Sequence, residues 1–264
     1  PHAIDLPTET PCFRIDSLRL EGERRGNDHA DAFPWIAPYL NRYAGRCIGR
    51  DGASLIVKRL SAGLVERGYI TTRIGLPEQN LATGVLRLVI VPGVLRAVRF
   101  ADATPVGDWR SAFPLRPGDL INLRDIEQGL EQMKRVPSQD VDFKIAPGDK
   151  PGESDILITV KRSRPWRVGL SLDDTGAQAT GRRQNGVTLA VDNPLGANDL
   201  LNLGLNADAE NDRARRGTRG HSVQYSLPWG YWTSTVSHSL YQYHQRIQGI
   251  NQAFVSSCES ASEE

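Results

Sequence analysis

Residues 186–205 read GVTLAVDNPLGANDLLNLGL. Two alternating runs, Val187/Leu189/Val191 and Leu201/Leu203/Leu205, flank the segment 193–199, Asn-Pro-Leu-Gly-Ala-Asn-Asp, which is built of residues that punctuate strands. Period-two alternation gives each strand one apolar face and one small or polar face. An antiparallel sandwich in water satisfies that pattern, and so does the wall of an outer-membrane barrel.

Working outward, the segments Trp166–Asp173, Arg182–Asp192, Leu200–Asp208, Gly220–Leu227 and Tyr231–Tyr243 all read as strands. Long polar connections (174–181, 209–219) alternate with shorter ones (193–199, 228–230), and Trp229, Tyr231 and Trp232 crowd the shortest. Short turns on one side, longer loops on the other and aromatics at the short turn suit a barrel meander with an interfacial girdle. The same aromatics would equally fill the core of a sandwich. Beyond Ile247 the alternation stops, and residues 248–264 are expected to be an irregular tail.

Upstream, a unit repeats with a shift of about seventy residues. Ile56 falls on Ile126, Leu60 on Leu130, Leu86 on Ile156, Leu88 on Ile158 and Ile90 on Val160. In the first copy Cys12–Leu20 reads as a strand and Asp31–Asn41 as a short helix. Asp51–Arg67 reads as a helix capped by Asp51 and ended by Gly68, with strands at Tyr69–Leu76 and Val85–Val91 after it. In the second, Val94–Phe100 is a strand and Asn122 caps a helix with the stripe Leu123, Ile126, Leu130 and Met133. Strands at Val141–Ile145 and Ser154–Val160 follow. Each copy is a small two-layer α+β module, and residues 1–10 read as a linker ahead of the first.

The 264 residues carry 32 Lys+Arg and 31 Asp+Glu, a net charge of +1 that points to no polyanion such as nucleic acid. With 24% charged residues, and Arg87, Pro92 and Gly93 interrupting the best apolar run, no spanning helix is expected. No leader begins the chain, so it reads as cytosolic or as a mature chain whose leader was removed. There is no GxxxxGK[ST] loop and hence no nucleotide site, and no CxxC or Cys/His cluster to hold a metal. Cys12 and Cys47 stand at the two ends of what reads as one small domain. Bridged, they would stabilise by roughly 3–4.7 kcal/mol on the chain-entropy model and place the chain in an oxidising compartment; the alternative is a pair of buried free thiols.

Three segments then carry a family resemblance: GYITTRIGLPEQNLATGVLRLVIVPG (68–93), PLRPGDLINLRDIEQGLEQMKRVPS (114–138) and PGESDILITVKR (151–162). They resemble the two periplasmic POTRA domains of two-partner secretion outer-membrane transporters, the TpsB family. DDTGAQATGRRQ (173–184), DNPLGANDLLNL (192–203) and YSLPWGYW (225–232) look like the first strands of that family's barrel. The resemblance implies POTRA domains at 11–93 and 94–162, followed by barrel strands over 163–247. The family barrel has about sixteen strands, against about five here, so the chain reads as a fragment or truncated form.

The resemblance further implies an outer-membrane location with the POTRA domains in the periplasm. There they would capture an unfolded exoprotein of the TpsA type and pass it through the pore, in contact with outer-membrane lipid, with no cofactor and no enzymatic step. The edge strand of each module is the expected binding element: Thr71, Thr72, Arg73 and Ile74 in the first, and Val141, Asp142, Phe143, Lys144 and Ile145 in the second. Main-chain pairing along such an edge needs little sequence specificity in the client. The rival expectations are a soluble periplasmic polypeptide-binding module and an insertase of barrel proteins.

Other tempting residues read blandly. Asp173-Asp174 suits a strand-end turn. Ser237, His238 and His244 lack a GxSxG elbow or HExxH helix, and Arg213, Arg215, Arg216 and Arg219 read as a solvated basic loop.

Overall fold

The computed structural model describes residues 4–22, 32–102, 107–210, 216–250 and 252–263. The chain divides into two compact units. One holds Pro1–Arg99, Leu115–Glu127 and Phe143–Ile158; the other holds Phe100–Pro114, Gln128–Asp142 and Thr159–Glu264.

The first repeat builds β1 (Phe13–Ile15), β2 (Ser17–Gly22), α1 (Ile36–Asn41), β3 (Arg46–Ile48), α2 (Arg50–Glu66), β4 (Arg73–Gly75) and β5 (Val85–Val91). The sheet order is β2-β5-β4, with β2 parallel and β4 antiparallel to β5; β1 and β3 form a separate ribbon. Ile56, Leu60 and Leu64 of α2 bury against Leu86, Leu88 and Ile90 of β5 in one core. The expected single strand over Cys12–Leu20 is instead two strands, because the chain breaks at Asp16. The backbone N–H groups of Asp16 and Ser17 both donate to Gly84 O, at 2.8 and 3.2 Å. The expected strand over Tyr69–Leu76 shrinks to Arg73–Gly75. Before it, turn bonds from Gly68 N to Val65 O and from Tyr69 N to Leu64 O hold the chain, at 2.9 Å each. Of the expected helix over Asp31–Asn41, Ile36–Asn41 is helical and Asp31 lies outside the described residues.

Asp51 does not cap α2. The helix begins one residue earlier, after Gly49, which has no side chain to accept a bond. The cap comes from Glu9, whose carboxylate accepts from the N–H groups of Gly49, Asp51 and Gly52, each at 2.8 Å. Residues 4–9 are therefore held against the first module. Ile4 and Leu6 pack on its core, and Arg46 and Arg59 donate to the carbonyls of Ile4 and Asp5. Partial desolvation pushes the Glu9 carboxyl up, but the three N–H donors outweigh it and hold it below its ordinary 4.5.

The second repeat builds β6 (Val94–Phe100), α3 (Trp109–Ala112), α4 (Leu123–Lys134), β7 (Gln139–Pro147) and β8 (Glu153–Arg162), with sheet order β6-β8-β7. The side chain of Asn122 caps the start of α4 by accepting from Arg124 N at 3.0 Å. Arg96 on β6 forks onto the buried Asp155 of β8 at 2.8 and 2.7 Å; that hydrogen bond is the main reason the carboxyl lies below its ordinary 3.8.

The remaining strands, β9 (Trp166–Asp173), β10 (Gln184–Asp192), β11 (Leu200–Asp208), β12 (Gly217–Trp229), β13 (Trp232–Gln248) and β14 (Ala253–Glu263), form one antiparallel meander in chain order. The stretch expected to be an irregular tail is thus a strand. Its small polar residues carry little strand preference of their own. Eleven register pairs with β13, from His238↔Glu263 to Gln248↔Ala253, override that weakness.

Candidate functional site

The meander presents two unlike faces. Val187 stands opposite both Leu170 and Leu205, and Leu189 opposite Val168 and Leu203. Directly paired residues share a face, so these rows make an apolar wall that continues through Val223, Trp229, Trp232 and Val236. Leu170 is 79% exposed and Trp232 77%. An exposed apolar surface of this extent marks a membrane or a partner. Two central rows of the opposite face are mostly small and uncharged: Gly169, Thr188, Gly204, Ser222 and Ser239 in one, and Ser171, Gly186, Asn206 and Gly220 in the next, which continues to the larger Tyr241. A Cβ at Gly204 would lie 2.5 Å from Ser222 Oγ, so the hydroxyl lies over the glycine and the wall stays smooth. No described helix is long and apolar enough to cross a membrane, which says nothing of spanning by strands.

The polar face ends in a buried seam with the second repeat. Asp192 ends β10, and its side chain is 1% exposed. Arg167 NH1 and NH2 donate to its two oxygens at 2.8 and 3.1 Å, and the backbone N–H of Ser138 adds a third bond at 2.9 Å. Arg135 follows α4. It donates to Ser226 Oγ at 2.5 Å and to Asn198 O at 3.0 Å, and burial pushes its guanidinium down from its ordinary value against the pull of Asp199. The turn 193–199 is held by Asp199, whose carboxylate takes the N–H groups of Leu195 and Ala197 and the Tyr225 hydroxyl. Asn198 Nδ2 donates to Asp108 O at 3.0 Å, and Ser111 Oγ donates to Ala197 O at 2.8 Å. At the next short turn, Gly230 N donates to Ser111 O at 2.9 Å, while Gln128 and Gln132 donate to Gly230 O at 3.3 and 3.2 Å.

The expected binding strands fare unequally. Thr71 and Thr72 precede β4, and Thr72 Oγ1 is occupied by the N–H of Gly93 at 3.1 Å. Arg73 and Ile74 lie on β4, an edge strand of three residues. Val141, Asp142, Phe143, Lys144 and Ile145 all lie on β7, an edge strand of nine residues, with Val141 buried and Asp142 and Lys144 exposed. Sequence reasoning missed Arg135, Asp192, Asn198 and Gln132. In sequence Asp192 reads only as the end of a strand and Asn198 only as part of a turn, Arg135 and Gln132 carry no local signal, and only the folded chain joins them.

Cys12 and Cys47 are bridged, with Cα atoms 5.4 Å apart. Asp173 accepts from the N–H and the hydroxyl of Thr175, a strand-end turn. Ser237 and His238 are consecutive on β13 and therefore face opposite ways. Arg216 pairs with Glu210 and Arg219 donates to Gln242, while Arg213 and Arg215 lie outside the described residues.

Three family descriptions match in sequence: the ShlB-type POTRA domain over residues 13–93, a POTRA domain over 94–147, and the haemolysin secretion/activation protein ShlB/FhaC/HecB over 152–264. The outer membrane transporter CdiB-2 of Burkholderia pseudomallei (strain 1026b) is 52% identical over 262 residues, 96% of this chain and 45% of its own length. The outer membrane transporter CdiB of Dickeya dadantii (strain 3937) is 35% identical, over 92% of this chain and 42% of its own length. The solved structure of CdiB from Escherichia coli superposes on all of this chain and 48% of its own, with a TM-score of 0.83 and 29% identity. The chain thus spans less than half the length of these relatives. With two POTRA repeats leading into an antiparallel meander of matching order, it belongs to the haemolysin secretion/activation protein ShlB/FhaC/HecB family.

Proposed function

We propose that the chain is part of an outer-membrane transporter of a two-partner secretion system. Its POTRA modules, residues 11–93 and 94–162, stand in the periplasm and capture an unfolded exoprotein. The strands from Trp166 onward form part of the barrel wall, apolar face to lipid and polar face to the passage. The carrying observation is β7, a nine-residue strand at the edge of its sheet. An edge strand offers a row of N–H and C=O groups to an extended chain, and exposed Asp140 and Lys144 leave it charged enough to avoid pairing with another copy. β4, three residues long, offers too few groups to hold a peptide by itself, so the second module does the capturing.

The test uses the complete transporter carrying this segment, co-produced with its exoprotein. A photo-crosslinker placed at Asp140 or Lys144 should trap the exoprotein, and one placed at exposed Val65 of α2 should not. Equal trapping at both places would remove edge pairing as the mode of capture.

A further inference from the structure

Gln139 opens β7, is only 6% exposed, and has neither its carboxamide oxygen nor its nitrogen in a hydrogen bond. A side-chain amide carries one acceptor and a donor pair, the same chemistry as a peptide group. Leaving both unpaired in the interior costs free energy that an apolar residue of similar shape would spare. The residue before it is clamped. Ser138 N donates to Asp192 at 2.9 Å, Ser138 O accepts from Ser163 N at 2.8 Å, and Asp192 N in turn donates to Pro165 O at 2.7 Å. The start of the edge strand is therefore tied to the end of β10 and the approach to β9, where the polar face of the meander begins. Asn198 Oδ1, Asn193 Nδ2 and Arg135 Nε, also buried and unpaired, sit in the same seam.

Resting on the reading that β7 pairs with the exoprotein, we propose that Gln139 is a polypeptide-binding residue of the export path and that Asp192 is the residue that positions it. When the seam parts to admit an extended chain, the Gln139 carboxamide takes over main-chain hydrogen bonds from the client at the point where it leaves β7 for the polar face. The Asp192 clamp sets the height of that transfer.

The test uses the complete transporter with Gln139→Leu and, separately, Asp192→Asn. Assembly is followed by heat-modifiable mobility, exoprotein contact by photo-crosslinkers at Lys144 and at Ser222, and export by exoprotein in the medium. Gln139→Leu should assemble as the parent does, since it removes unpaired polar atoms, and should keep the Lys144 crosslink. The Ser222 crosslink and export should fall by up to about tenfold, the worth of one or two lost hydrogen bonds. Asp192→Asn should show the same split. Export by Gln139→Leu at the parent's level overturns the proposal, and it remains the deciding variant if Asp192→Asn fails to assemble. Absence of a Lys144 crosslink in the parent transporter overturns the edge-capture reading instead.

Discussion

Gly129, in the middle of α4, lies so close to Phe113 that a Cβ on it would stand 2.5 Å from the ring. Helix propensity alone favours Ala over Gly by about 1 kcal/mol. Overpacking against a buried ring costs about 1–3 kcal/mol and here has the opposite sign. Gly129→Ala should therefore destabilise, measured as a lower urea midpoint with an unchanged slope. A rise in the midpoint would mean that Phe113 can move aside at no cost.

Glu9 supplies the cap that α2 lacks. Glu9→Ala leaves three N–H groups without their acceptor and should cost about 1–2 kcal/mol. Because the folded carboxyl is held below 4.5, its contribution is complete above that value and is lost as pH falls through the folded pKa. The stability difference between parent and variant should thus be constant at neutral pH and shrink only below about pH 4.5. Amide exchange at Gly49, Asp51 and Gly52 reports the same loss locally.

The bridge between Cys12 and Cys47 closes a loop with a sequence separation of 35. Replacing both by serine should lower stability by about 3–4 kcal/mol on the chain-entropy model. The loss should be confined to the first module, with amide protection in α4 unchanged.

Leu170 and Ser171 are neighbours on β9, both exposed, and face opposite sides of the meander. Leu170→Arg puts a cation on the apolar wall and should cost about 2–4 kcal/mol near the bilayer midplane. It should be read as loss of the compact, heat-modifiable form of the complete transporter. Ser171→Arg, on the polar face, should assemble as the parent does. Equal damage from both would place the two faces in the same solvent and remove the barrel assignment.

What was legible in the residues followed the range of the forces involved. Period-two alternation located β9 and β11 to the residue, and a local Asn122 cap with a helical stripe located α4. Neither needs information from elsewhere in the chain. The Glu9 cap, by contrast, joins residues about forty positions apart, and the β14 strand exists only because β13 offers it a ladder. The seam was the least visible. DNPLG, with Asp192 at its head, is recognisable as a turn, but that Asp192 holds Ser138 and Arg167 follows from topology rather than from any local pattern. Arg135 likewise carries no local signal, because its partners Asn198 and Ser226 lie on two different later segments.

The short turn between β12 and β13 serves two masters. Trp229 and Trp232 stand exposed on its apolar side, where indoles settle at the boundary between hydrocarbon and water. Gly230, between them, has its carbonyl taken by Gln128 and Gln132 and its N–H spent on Ser111. In the proposed barrel, the depth of those indoles and the elevation of α3 and the end of α4 are consequently one mechanical variable. On that reading, a thinner or thicker bilayer would shift that turn along the membrane normal and carry α3 and the end of α4 with it, so that lipid thickness would act as a force on the proposed export path.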